Sequence, residues 1–177
     1  MYLISIYFDE KTTRKMQRYI DLVAEKTGNR FMLEGQVPPH LTVSAFETQN
    51  EDEALQALER IAKRLWSGSL TWASVGTFLP YVIFLQPVLN AYLHGMSEVV
   101  YEELSSISDV KMNAFYQPFG WLPHVTIGKT LTKEQMQSAF AILQENFGVF
   151  ESTTTKIGLA RTNPHRDIRV YALKEAI

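Results

Sequence analysis

The chain has 177 residues, 46% of them hydrophobic and 20% charged, with a formal net charge of −2 and no cysteine. Such a balance belongs to a globular protein and excludes a disordered one, and the lack of cysteine excludes disulfides, thiolate catalysis and cysteine-ligated zinc or iron–sulfur sites. A net charge this close to zero supplies no cationic field for an extended duplex nucleic acid, so a phosphate-bearing partner must be met by a local cluster.

Tyr2 to Phe8 is an apolar run with strand character, and it lacks the basic start and cleavage site of a signal peptide. With no apolar run near the roughly 20 residues a membrane span needs, a cytoplasmic protein without a membrane partner is expected. Met16, Tyr19, Ile20 and Val23 then fall on one helical face. The segment Pro39-His40-Leu41-Thr42-Val43 reads as a strand opened by proline. Asn50 and Glu53 form an N-cap signal, Leu55, Leu58, Ile61 and Leu65 the apolar stripe of a second helix, and Gly68 its stop. A strand over Ser69 to Leu79 follows.

The order then repeats. Tyr81 to Leu85 is a strand, and Leu93, Met96, Val100, Leu104 and Ile107 mark a helix. Pro123-His124-Val125-Thr126-Ile127 returns the proline–histidine–threonine pattern 84 residues (124 − 40) after its first occurrence. Thr132 and Gln135 give a capping signal, Met136, Phe140, Leu143 and Phe147 a stripe, and Gly148 a stop. A strand over Ser152 to Ala160, a turn at Asn163-Pro164-His165-Arg166-Asp167 and a strand from Ile168 to Leu173 close the chain. Val75-Gly76 and Ile157-Gly158 occupy corresponding places. The expected architecture is α+β: a bilobal pseudo-twofold repeat of β-α-β-α-β, with two antiparallel-rich sheets facing a central cleft and helices outside. It forms a single domain over residues 1–177, with lobe-like halves of approximately 1–80 and 81–177.

Two of the four histidines sit in the repeated motif. Alternation along a strand places His40 and Thr42 on one face, about 7 Å apart, with Leu41 and Val43 behind. The same holds for His124 and Thr126. A single His-x-Thr in a strand is ordinarily structural, but two copies at equivalent places in a repeat point to function. A neutral imidazole can accept a proton from an attacking hydroxyl or water, and a protonated one can give a proton to the leaving oxygen. The threonine hydroxyls can donate to the non-bridging oxygens of a phosphodiester. A zinc site is the weaker alternative, because no third ligand accompanies either motif.

His40-Leu41-Thr42-Val43 and His124-Val125-Thr126-Ile127 resemble the paired His-x-Thr-x motifs of the two-histidine (2H) phosphoesterase superfamily, which includes 2′-5′ RNA ligase-like proteins and RNA cyclic phosphodiesterases. The resemblance covers essentially the whole chain. It implies metal- and cofactor-independent cleavage, or reversible ligation, of cyclic or 2′-5′ phosphodiesters of nucleotides or RNA ends, with His40, Thr42, His124 and Thr126 catalytic. Which histidine is base and which acid stays open. The alternatives are a non-catalytic nucleotide or RNA-end binding module and a phosphoesterase with a non-nucleotide substrate. RNA ligase-like members often carry an aromatic residue five positions after the first histidine, where this chain has Ala45, with Phe46 one later. The basic residue five positions after the second is Lys129. Its odd offset puts it on the face opposite His124 unless the strand bulges or ends, which Gly128 would permit.

The other substrate-binding candidates are Ser44, at i+4 from His40; Arg161, whose guanidinium suits phosphate oxygens; and Tyr116 and Trp121, which with Phe115 and Phe119 crowd the approach to the second motif and could stack on a base. His94 is expected at a surface or boundary position and His165 exposed in a turn, while Arg166 and Arg169 are expected to be solvated.

Overall fold

The structure is a computed structural model that describes residues 1–162 and 164–175. Strands β1 (Tyr2–Phe8) and β2 (Leu41–Glu47) flank helices α1 (Glu10–Thr27) and α2 (Phe31–Glu34); α3 (Glu51–Arg64) and β3 (Ser69–Phe78) follow. The second unit runs β4 (Val82–Pro87), α4 (Ala91–Ser105), a short β5 (Lys111–Met112), a 3-10 turn at Ala114–Tyr116, β6 (Val125–Gly128), α5 (Lys133–Asn146), β7 (Phe150–Arg161) and β8 (Arg166–Ala172). Asn163, the first residue of the expected final turn, lies outside the described residues, and β8 begins at Arg166, ahead of the expected Ile168.

The expected caps form. Asn50 accepts from the Glu53 amide at 3.1 Å, and Thr132 with Gln135 completes a capping box on α5. The expected glycine stops do not. Helix α3 ends at Leu65 and α5 at Phe147, each extended and each donating its amide back to the helix. Gly68 answers a different demand, since a Cβ there would stand 2.6 Å from the Tyr92 ring. Gly28 does cap a helix, left-handed at φ 72° after α1.

The strands make one antiparallel sheet of order β5-β2-β1-β7-β3-β4-β6, with β8 also paired to β7. The fold is α+β, and each repeat gives its third strand to the other: β3 pairs with β4, while β7 pairs with β1. Neither half of the sheet therefore matches one half of the sequence. The two exchanged strands pair with each other at their starts, from Ser69↔Thr153 to Trp72↔Phe150. Helices α1 and α5 pack together, as do α3 and α4.

Trp72 anchors this seam. It is fully buried, meets Phe8 edge-on at 5.6 Å, stacks on Phe150 at 6.1 Å and donates from its indole to Ser152 Oγ at 2.8 Å. Trp72→Ala should cost about 3–5 kcal/mol by guanidinium unfolding; a loss below about 1 kcal/mol would show that the seam does not depend on this side chain.

Candidate active site

His40 and His124 each stand one residue before their strand, behind a buried proline. The following aliphatic residues, Leu41 and Val43, Val125 and Ile127, are buried at 0–1% exposure and lock both strands to the core. His40 Nδ1 lies 2.9 Å from the Pro38 carbonyl and His124 Nδ1 lies 2.8 Å from the Leu122 carbonyl. A carbonyl only accepts, so each Nδ1 carries the proton and, in the neutral ring, each Nε2 presents a lone pair. His40, Thr42, His124 and Thr126 line one small cavity of about 40 Å³ together with Met32, Val37, Pro38 and Pro39. The two motifs thus face a common space.

Both strands bulge at the same step. Ser5 pairs with Thr42 but Ile4 pairs with Ser44; Phe84 pairs with Thr126 but Ile83 pairs with Gly128. One extra residue after each threonine reverses the faces that follow. Ser44 therefore joins the face of Ile4, is buried at 2% exposure, and lines neither cavity at the histidines. Unbroken alternation would have kept it on the histidine face, and the bulge turns it away. Gly128, its counterpart, also faces the core, where a Cβ would stand 2.8 Å from Ile83 Cγ2. Lys129 in turn comes round to the side of His124.

A second cavity of about 530 Å³ adjoins the first and shares His124 and Thr126 with it. Three of the substrate-binding candidates, Tyr116, Trp121 and Lys129, line it together with Phe78 and Phe115. Trp121 is nearly buried and donates from its indole to the Thr42 carbonyl at 3.0 Å, which ties this wall to the first motif. Lys129 Nζ lies 5.7 Å from the centre of the Phe31 ring. Among the described residues three non-glycines have left-handed backbone, Gln36 (φ 48°), Phe119 (φ 64°) and Thr130 (φ 57°), and each belongs to a loop that borders these cavities. Such strain concentrates where a fold holds a site open.

Arg161 lies elsewhere. The register places it opposite Tyr2, at the far end of β1 from His40. It is bound there to Glu51 at 2.7 Å and to Tyr2 Oη at 2.8 Å, beside a separate cavity lined by Thr48 and Arg166. Its charge is already answered and it does not join the histidines.

The surroundings of the two rings differ. His124 is held edge-on by Phe78 at 4.9 Å and against Phe84 at 5.1 Å. Phe84 fits because its partner in the register is Gly76, where a Cβ would stand 2.4 Å from the ring. His40 meets Tyr7 at 6.3 Å and His165 at 5.4 Å. The expectation of an exposed His165 is corrected: its side chain is 14% exposed, because the turn folds it back over the His40 ring. Burial lowers the pKa of both motif histidines below the ordinary 6.5, partly offset by the carbonyl that each Nδ1 serves. Phe78, Phe84 and His165 had no local motif to announce them; the only advance sign was the pair of glycines, Gly76 and Gly158, over which the flanking rings cross. Among the described residues no group of three or more His, Cys, Asp or Glu side chains is arranged to hold a metal ion, and no helix is long and apolar enough to cross a membrane.

Known proteins share this architecture. E. coli LigT, solved with 3′-AMP, is 15% identical and superposes with a TM-score of 0.63 over 98% of both chains. The protein TT0787 of Thermus thermophilus is 16% identical, with a TM-score of 0.62 over 99% of both. Usb1 of Kluyveromyces marxianus is 15% identical, with a TM-score of 0.51 over 98% of this chain and 97% of its own. No curated protein sequence matches the chain. The model of the 2′-5′ RNA ligase superfamily matches residues 17–166, a span that contains both histidine motifs and all but the first and last strands. The chain therefore belongs to the 2′-5′ RNA ligase superfamily, in agreement with the two-histidine resemblance of its motifs.

Proposed function

We propose that this chain is a metal-independent phosphodiesterase that hydrolyses, or reversibly ligates, cyclic or 2′-5′ phosphodiesters of nucleotides or RNA ends by paired-histidine acid–base catalysis. The observation that carries the reading is the pair of Nδ1-anchored imidazoles sharing a small cavity with two threonines, beside a larger aromatic one. The phosphate sits in the small cavity, and the attached nucleoside lies against Tyr116, Trp121 and Phe115. E. coli LigT has been solved with 3′-AMP, ATP and NADP+; a nucleotide is the corresponding ligand here.

In hydrolysis, Nε2 of one neutral histidine takes a proton from water as its oxygen bonds to phosphorus. Nε2–H of the other, protonated histidine gives a proton to the oxygen whose bond to phosphorus breaks. The Pro38 and Leu122 carbonyls hold both rings in register and favour the charged form as it arises. Thr42 and Thr126 donate hydrogen bonds to the non-bridging oxygens, where charge builds. Beyond the histidines, Lys129 is the one cationic side chain that lines either cavity among the described residues. A single added cation suits a singly charged diester better than a polyphosphate.

His40→Ala and His124→Ala should each lower kcat by about 10²–10⁴ on 2′,3′-cyclic nucleotides or 2′-5′ dinucleotides, with folding retained by circular dichroism. Full activity in either variant would refute the pair, and tight nucleotide binding by a wild-type protein that turns over none of these esters would favour the binding module. EDTA should leave activity unchanged; loss restored by zinc or magnesium would count against the scheme.

The pH dependence follows from burial. The base must be neutral and the acid protonated, so kcat/KM falls below the lower histidine pKa and above the higher one. Both pKa values lie below 6.5, so the bell should peak on the acid side of 6.5. A maximum above about pH 7 would contradict this environment for the free enzyme.

A further inference from the structure

Resting on the paired-histidine reading above, we propose that His165 and Asp167 are positioning residues that act on His40 alone and make the two motif histidines chemically unequal. His165 lies over His40 with ring centroids 5.4 Å apart and planes inclined by 28°. Its Nε2 is buried and has no hydrogen-bond partner among the described residues; Asp167 Oδ1, at 3.4 Å, is its ionic neighbour. Asp167 is in turn fixed by Tyr7, whose hydroxyl donates to Oδ1 at 2.5 Å. Tyr7 reaches it from β1 by crossing over β7 at Gly158, where a Cβ would stand 3.0 Å from Tyr7 Cε2. A connected set, Tyr7–Asp167–His165–His40, therefore joins β1, β8 and the turn before it to the first motif.

Among the described residues nothing equivalent serves the second. In the paired register Ser5 lies between Thr42 and Gly158, whereas Phe84 lies between Thr126 and Gly76. The place filled by a ring beneath His124 is left small beneath His40, and Tyr7, with the acid behind it, occupies the room. The titratable groups that face His40 are Tyr7 from β1, His165 and Asp167 from the turn and β8, and His124 across the cavity; Met32 and Val37 close the remaining side. Asp167 favours the charged form of His40, and His165 and His124 oppose it. Burial and the neighbouring Asp167 push the Tyr7 phenol far up, so Tyr7 remains a hydrogen-bond donor across the working range. Since Asp167 is partly exposed, solvent tempers its effect.

The decisive measurement is an NMR titration of the imidazole signals in the full chain, which needs no turnover. Asp167→Asn should lower the His40 midpoint by about 0.5 pH unit or more while leaving that of His124 in place. Asp167→Ala, which also removes the carboxylate, should move His40 in the same direction, and it serves if Asp167→Asn does not fold. Where an ester is turned over, Asp167→Asn should shift one limb of the pH–rate bell to lower pH and leave the other, and the limb that moves names the role of His40. His165→Ala should lower kcat about 10- to 100-fold with KM nearly unchanged, and His165→Phe, which keeps the stacked ring, should restore most of it. If both imidazoles move together, if neither moves, or if Ala and Phe at 165 behave alike, the proposal is overturned. If the wild-type chain hydrolyses no ester, the function proposed above fails, and the NMR titration still decides the positioning role.

Discussion

The geometry of the site depends on one backbone irregularity made twice. Strands β2 and β6 each start beside a buried proline, hold histidine and threonine toward the cavity, and then take one extra residue. The apolar residues interleaved with them fix which face is inward, because reversing that face would expose two core side chains in each strand. The bulge then resets the alternation, which lets the strand carry two cavity residues at its mouth and still return to the sheet in register. In the second copy it also delivers Lys129 to the aromatic cavity, an outcome that an ideal strand would deny. Each imidazole is held from behind by the carbonyl two residues earlier. Main chain thus anchors Nδ1 of both rings, and at His40 the side chains of Tyr7 and His165 border the same ring.

The exchange of third strands explains why two similar halves make one site. Were β3 paired with β1 and β7 with β4, each repeat would form its own sheet, and the histidines could drift apart as two bodies. The observed exchange, with the Trp72 seam between the exchanged strands, makes the distance between the motifs a property of one continuous sheet. Pseudo-symmetry in the backbone is nonetheless broken in the side chains. Ser5 and Phe84 occupy corresponding places, and that difference, with Tyr7 and His165 beside His40 and Phe78 beside His124, gives the two rings unlike surroundings.

Much of this was legible in the sequence because it rests on local pattern. The helical stripes, the capping pairs Asn50–Glu53 and Thr132–Gln135, and the twin motifs each lie within a short window. What escaped prediction depends on partners distant in sequence. Ser44 and Lys129 could not be placed without the pairing register, since a bulge is defined by the strand opposite. Arg161 drew attention as a cation at a strand end, but which end of the sheet that is follows only from its antiparallel pairing with β1. His165 sits in a polar turn that reads as solvent-exposed, and only the fold reveals His40 beneath it. Gly68 and Gly148 looked like helix stops by position; Gly68 instead makes room for a ring from α4.

The two cavities also constrain the proposed ligand through their inequality. The space between the histidines, about 40 Å³, is much the smaller, while the space beyond His124, about 530 Å³, is walled by aromatic residues. A ligand bound across both would therefore be one-sided: a phosphate with a large planar substituent toward His124 and only a small group toward His40. Under the proposed function, a cyclic ester meets that description directly, because both ester oxygens return to the same sugar. A linear 2′-5′ diester, on the same proposal, has a second nucleoside to place outside the small cavity. On that proposal, the inequality of the two spaces favours the cyclic ester over the linear one.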